Sequence, residues 1–440
     1  MIRLKYFLVL LVTVFLLKNS FADEYSDKLG ELMNAYDKQQ LFSGVVMLAK
    51  DGNVVFHKSY GYADWSKQTA NNKQTIFFIA SITKTFTREI VNQLEKEGKL
   101  SFSDPLSKYV SIFPDAIGNK ITIQMLLEMK AGLGDYLRDP NYRQHAENFR
   151  TINDYLQLIK NEPLLFEPGT NTEYSNSGYA VLGGVIEKAS GKSYADNLKE
   201  RFFEPLGMKN SYYRQMDDMI PNSAMGSEIN FANKKRSMPM EISPSPAGGI
   251  FTNAEDMLKF DAYMRKAHPS NGEIVAGGTP TWNSIFAQYK SGYTLIVLSN
   301  FGRVAEEVEE RFRKILKNEK YTEPKLPLGM TLYKTLEDNG IEGLEKDLKN
   351  ILQQNDFMYN DMHLNKFGYE LVQAGENDLA LEVFKLNAKL FPDVPNVYDS
   401  LGEAYMNAGN NELAIANYKK VLEMRPQNEN ARRMLEKLQK

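Results

Sequence analysis

Ile76-Phe77-Phe78-Ile79-Ala80-Ser81-Ile82-Thr83-Lys84 is the stretch on which the reading of this chain turns. Ser81 is the only serine with a lysine three residues later, and it closes an apolar run. Residues at i and i+3 lie on one face of a helix. A hydroxyl and an amine placed that way can become a nucleophile and its base, because partial desolvation strips the amine of its charge. A capping serine beside a solvated lysine is the plainer alternative for an isolated Ser-x-x-Lys, so the remainder of the chain has to decide. Phe86, Ile90 and Leu94 keep one face of 81–99 apolar, which predicts a helix that begins at the serine.

Working outward, residues 26–40 have helical character, and 43–50 and 53–59 are β-rich runs joined at Asp51-Gly52. That dipeptide favours a two-residue hairpin turn. From Leu100 to Met240 the chain reads as helices and loops broken by Pro105, Pro114, Pro140, Pro163, Pro168 and Pro205. Strands return at 282–289 and 293–300, joined around Ser291-Gly292, and a charged helix follows at 304–317. Strands at both ends of a helical middle predict an α+β fold: an antiparallel sheet flanked by helices, with a helical insert.

The chain has 440 residues, too many for one comfortable core, so at least two domains are expected. Residues 1–22 belong to neither. Arg3 and Lys5 precede the apolar stretch 6–17, and Ser20-Phe21-Ala22 offers a cleavage site, so 1–22 is expected to be a signal peptide. The apolar stretch is shorter than the roughly 20 residues a spanning helix needs. The expected location is therefore exported, periplasmic or secreted, with no membrane span after cleavage. The chain contains no cysteine, which excludes disulfides, thiolate metal sites and cysteine nucleophiles. Its net charge is −3, more acidic still without the basic leader, and it has no long basic run, so no nucleic-acid partner is expected. The four histidines are far apart and none has metal-ligand spacing, so neither a metal nor a cofactor is expected.

Beyond a proline-bearing linker at 318–329, the chain turns wholly helical. Gly368, Gly375, Ala380, Phe384 and Pro392 recur as Gly402, Gly409, Ala414, Tyr418 and Pro426, each 34 residues later. This pattern resembles the tetratricopeptide repeat. A divergent unit is expected at 330–359 and a polar capping helix at 429–440. The expected organisation is thus signal peptide 1–22, a first domain 23–317, a linker 318–329 and an all-α helical repeat domain 330–440.

A second polar motif, Tyr174-Ser175-Asn176, lies in the helical insert, after Phe166-Glu167-Pro168-Gly169. Together with Ser81-x-x-Lys84, Pro205-Leu206-Gly207-Met208, Ala247-Gly248-Gly249-Ile250 with Asp256, and Leu298-Ser299-Asn300, it makes a specific combination. In these motifs the chain resembles the serine β-lactamase and penicillin-binding DD-peptidase superfamily, on the side of class C β-lactamases, D-aminopeptidases and related esterases. The resemblance spans 42–316. It implies that Ser81 is the nucleophile, that Lys84 activates it or keeps the tyrosine deprotonated, and that Tyr174 shuttles a proton to the leaving group. Asn176 would bind the acyl-side amide of the substrate. The matching third motif is Ala276-Gly277-Gly278-Thr279, in which Gly277, Gly278 and Thr279 would border the substrate and the Thr279 N–H would complete an oxyanion hole with that of Ser81. A cationic lysine beside the phenol is expected to lower its pKa.

The chain departs from the family pattern in three places. Alanine, at 276, replaces the usual lysine or histidine of the third motif. The stretch 257–275 is short. Lys130 occupies an unusual place before Gly132, where it is a candidate local cation. Two readings follow. In one, Ser81 forms an acyl-enzyme and the protein hydrolyses an ester or amide, among them a β-lactam or a D-amino-acid peptide, with the lost cation favouring neutral substrates. In the other, the domain is a catalytically impaired binding protein or a scaffold that takes a protein partner on its repeats. Retention of Ser81, Lys84 and Tyr174 favours the enzyme. Which of Lys84 and Tyr174 acts as base in each half-reaction stays open.

Overall fold

The computed structural model describes residues 23–269 and 272–439. The signal peptide expected at 1–22 lies outside the described residues. Two compact units are present. The first holds the described residues up to Glu228 together with Lys235–Pro324; the second holds Ile229–Lys234 and the described part of Lys325–Lys440.

In the first unit, helix α1 (Glu24–Lys38) starts where the Asp23 carboxylate accepts from the Tyr25 and Ser26 N–H groups, and it buries Leu29, Leu32, Met33 and Tyr36. Strands β1 (Gly44–Lys50) and β2 (Asn53–Tyr60) form the expected hairpin. Its two turn residues, Asp51 and Gly52, both have positive φ, 48° and 81°, as a tight primed turn demands. Then follow helices α2 (Thr83–Lys96), α3 (Asn176–Ser190) and α4 (Ala254–Ala267), strands β3 (Ile274–Thr279), β4 (Trp282–Gln288) and β5 (Tyr293–Ser299), and helix α5 (Val304–Leu316). The sheet is antiparallel, in the order β3-β4-β5-β1-β2. Helix α5 packs on β4 and β5 and against α1, while α4 packs on β5 and β1. Strands β4 and β5 are buried along their whole length, so both faces of the sheet are covered.

Two features of this architecture place the site. The aromatic ring of Phe86, on α2, stacks on Phe260 of α4 with centroids 3.7 Å apart and meets Phe202 edge-on. All three rings are fully buried, and losing one such ring costs about 3–5 kcal/mol, so the helix that follows Ser81 is held firmly. The second feature is β3, the edge strand, which runs beside the turn that carries Ser81.

The stretch 100–240, expected as helices and loops, also holds short strands at Tyr212–Tyr213, Gly226–Ile229 and Lys235–Met238. Tyr212–Tyr213 joins Ile250–Thr252 and Phe77–Phe78 in a small sheet beneath the site. Pairings of two or three residues are decided by tertiary neighbours rather than by period, so the sequence gives no signal for them.

The second unit is built from helices. Leu328–Gln354 is interrupted at Gly340, which has φ 67° and ψ −173°. Asp361–Gln373 pairs with Asn377–Leu390, Pro395–Asn407 pairs with Asn411–Met424, and Glu429–Leu438 closes the series. The repeated glycines sit where a helix crosses an aromatic ring. A Cβ on Gly368 would lie 2.6 Å from the Phe384 ring, and one on Gly402 3.2 Å from the Tyr418 ring. Among the described residues of the chain, no helix is long and apolar enough to cross a membrane.

Candidate active site

The apolar run ends in a strained turn. Ala80 has φ 45°, a left-handed value costly for a residue with a Cβ. It opens a single 3-10 turn, Ala80–Ile82, ahead of α2. Lys84 lies in the first turn of α2 and is buried. From far along the chain, Tyr174 and Asn176 arrive at the start of α3. Ser175 between them caps that helix by accepting from the Gly178 N–H, and its hydroxyl donates to the Gly134 carbonyl. The Ser-x-x-Lys and Tyr-Ser-Asn motifs, distant in sequence, therefore form one cluster.

Its geometry is tight. The Ser81 hydroxyl lies 2.7 Å from the Tyr174 hydroxyl and 3.0 Å from Lys84 Nζ. Lys84 Nζ also lies 2.7 Å from Asn176 Oδ1 and 2.7 Å from the Ala247 carbonyl. A neutral amine has two N–H groups and one lone pair. With the N–H groups directed at Asn176 and Ala247, the lone pair faces the Ser81 O–H. Burial pushes the Lys84 pKa down to about 7, with the Asp135 carboxylate acting in the opposite direction. Tyr174 moves the other way. The residue as a whole is 51% exposed, but its phenol end is held inside the cluster. Desolvation there raises its pKa, with the Ser81 hydrogen bond opposing and Asp135 reinforcing the shift. Of the two roles open to Lys84, base toward Ser81 or partner of a tyrosinate, the opposed directions of the two shifts favour the first.

Of the third-motif residues, Gly277 sits directly against the nucleophile's backbone. A Cβ there would fall 2.2 Å from the Ile79 carbonyl oxygen and 2.9 Å from Ser81 N, so β3 can approach this closely only with glycine. Gly278 instead faces Asn283 and Trp282, and Thr279 closes the strand. Ala276 is exposed on the same edge. Lys130, the candidate substitute cation, pairs with Glu128 at 2.8 Å on the surface and makes no bond to the cluster. Helix α4 ends at Ala267 and β3 begins at Ile274, so only six residues separate them.

Sequence reasoning missed two carboxylates. Asp135 Oδ1 accepts from Asn176 Nδ2 at 3.0 Å and from the Leu137 N–H at 3.1 Å, fixing which end of the Asn176 amide faces Lys84. Glu162 contacts the Ser177 hydroxyl at 3.2 Å, and burial pushes its pKa up to about 7. No local signal marks either one, because the partners are supplied by α3.

An antiparallel sheet whose edge strand borders a Ser–Lys–Tyr cluster is the arrangement of serine hydrolases of the β-lactamase type. The family model described as Beta-lactamase matches residues 26–305, and the chain belongs to that family. A tetratricopeptide repeat model matches 395–428. Among relatives, a Bacillus subtilis protein named as a penicillin-binding protein, PbpX, is 29% identical over 313 residues, covering 64% of this chain and 78% of its own. The crystal structure of a penicillin-binding protein from Bacillus halodurans superposes with a TM-score of 0.58 at 25% identity, covering 64% of this chain and 98% of that one. A class C β-lactamase structure superposes with a TM-score of 0.57 at 19% identity, covering 69% and 99%, a likeness of fold.

Proposed function

We propose that the protein is an exported serine hydrolase that forms an acyl-enzyme at Ser81 and hydrolyses a neutral ester or amide. The observation that carries the reading is the Ser81 hydroxyl held between the Tyr174 hydroxyl at 2.7 Å and Lys84 Nζ at 3.0 Å. Family membership supports hydrolysis; the substrate class follows from the edge strand, where Ala276 offers no cation to a substrate carboxylate.

In the proposed reaction, neutral Lys84 takes the Ser81 proton as Oγ attacks the carbonyl carbon. The developing oxyanion meets the N–H of Ser81 and, on the edge strand, that of Gly278 rather than the expected Thr279, because the register that pairs Glu273 with Gln288 and Thr279 with Trp282 turns the Thr279 N–H toward β4. Tyr174 gives its proton to the departing alcohol or amine and takes back the one held by Lys84, whose Nζ lies 4.8 Å from the Tyr174 ring centroid. Asn176 meets the acyl side of the substrate. Water then attacks the acyl-enzyme, its proton passes into the same cluster, and a carboxylic acid leaves as Ser81 is regenerated. Asp135 positions Asn176 and tempers the fall of the Lys84 pKa.

Two acylating probes, a fluorophosphonate and a fluorescent penicillin, test the reading when followed by intact mass and by mapping of the modified residue. Labelling of Ser81 by the phosphonate and not by the penicillin is expected. Folded protein that takes up neither overturns the enzyme. A second reading, a binding protein that has lost catalysis and acts through its helical repeats, is favoured by the same Ala276; a folded but unlabelled protein would support it. Export rests on the basic and apolar character of 1–22. Sequencing the N-terminus of protein recovered from outside the cytoplasm would test it, with Asp23 the expected first residue.

A further inference from the structure

We infer that a methionine-rich cavity, walled in part by segments that continue into the site, binds an aliphatic acyl chain, so that the substrates are esters or amides of medium-chain, uncharged acyl groups. This deepens the hydrolase reading and rests on it for the chemistry, but not for the binding.

The cavity measures about 340 Å³ and belongs wholly to the first unit, within the range of small-molecule sites. Its wall includes Phe78, Met216, Met225, Met240, Phe251 and Trp282. Three of these stand on segments that also build the site. Phe78 is three residues before Ser81, which places the two Cα atoms within about 10 Å of each other. Phe251 follows the turn whose Ala247 carbonyl holds Lys84, and Trp282 follows Thr279 at the end of β3. The Phe78 ring packs on Phe251 and Trp282, making an aromatic floor.

The chemistry of the lining identifies the occupant. Methionine is unbranched and polarisable, and it fits flexible apolar chains of varied shape. Among the described residues that line the cavity, only Arg214 and Asp218 carry charge, and they are of opposite sign. The wall therefore carries no net charge, and the site edge offers no cation at Ala276. Met225 and Met219 are 36% and 90% exposed. A chain bound in the cavity would cover part of both side chains.

Two measurements test the inference. The first is kcat/KM for p-nitrophenyl esters from acetyl to dodecanoyl, in the native protein and in Met225→Trp, which narrows the mouth. Each buried methylene is worth about fourfold, so the octanoyl-to-acetyl ratio should reach at least about 100 in the native protein and fall at least about tenfold in the variant. The second needs neither catalysis nor a cavity variant. The chain has two tryptophans; in Trp65→Phe with Ser81→Ala, Trp282 is the remaining emitter, and a brominated octanamide should quench it while brominated acetamide does not.

Rising kcat/KM together with selective quenching supports the inference. Ester cleavage with no chain-length dependence and no quenching overturns it and leaves the hydrolase standing. Quenching without cleavage of any ester keeps the cavity as an aliphatic-chain site and removes the hydrolase. Absence of both overturns both.

Discussion

Replacing Gly277 by alanine should separate the edge strand from the nucleophile. The added Cβ would lie 2.2 Å from the Ile79 carbonyl oxygen, 2.9 Å from Ser81 N and 3.0 Å from Ile82 N, all of them backbone atoms. No side chain can rotate away, and ordinary contact begins at 3.4 Å. The strand and the turn must therefore part by about 1 Å, and misplacement of that size at a reacting centre costs about 100-fold in rate. Overpacking of this kind also costs about 1–3 kcal/mol of stability, a fall in Tm of several degrees for a domain of this size. Gly278→Ala is the internal control. Its Cβ would meet Asn283 Nδ2 at 3.0 Å and the Trp282 carbonyl at 3.3 Å, away from Ser81, so a loss of less than about tenfold is expected. The assay is the second-order rate of fluorophosphonate labelling of Ser81, followed by intact mass beside a thermal melt. A folded Gly277→Ala protein that labels within about threefold of the native rate would refute the reasoning, as would equal losses in the two variants.

Lys84→Gln should lower the labelling rate by about 100- to 10,000-fold while leaving a folded protein, since it removes the base and keeps a polar side chain. The native rate should rise with pH through about 7, because only neutral Lys84 accepts the proton and burial has brought its pKa there. Asp135 holds that pKa up, so Asp135→Asn should move the acid limb to lower pH; a limb that moves up, or stays, contradicts the assignment. Glu162 titrates in the same window, and Glu162→Gln should leave the limb in place if Lys84 is its source. Tyr174→Phe should slow turnover about 100-fold and change stability by less than about 1 kcal/mol, because it removes a single hydrogen bond, that to Ser81, from a residue that is half exposed. In the second unit, Gly368→Val should drive a branched side chain into the buried Phe384 ring. That should lower the unfolding free energy of the repeats by about 1–3 kcal/mol, measured by denaturant titration, while Ser81 still labels.

Features with local causes were legible in the sequence. Asp51-Gly52 named its turn because both residues tolerate positive φ. Ser81 and Lys84 were legible as a pair because one helical turn brings them together, and the repeats because the same glycine-on-aromatic contact recurs at a fixed interval. Tyr174 and Asn176 could be joined to that pair only through resemblance, since nothing near them in the chain reports what α3 faces. Asp135 was invisible for the same reason: a carboxylate after Gly134 is an ordinary loop residue until Asn176 is placed beside it. The fall of the Lys84 pKa was legible in outline, but the rise of the Tyr174 pKa was beyond the sequence. That rise depends on how far the phenol is cut off from water, a property of the packed interior.

The pairing of β1 with β5 has a consequence for how the polypeptide reaches its native state. Gly44 lies opposite Ser299 and Lys50 opposite Tyr293, so the central seam of the sheet joins segments from opposite ends of the first unit. Its relative contact order is high, and such topologies fold slowly. A ribosome-bound nascent chain that lacks its last three strands has an apolar ribbon with one flank open, ready to stick to a neighbour. Fragments that end before β5 should therefore be recovered as aggregates.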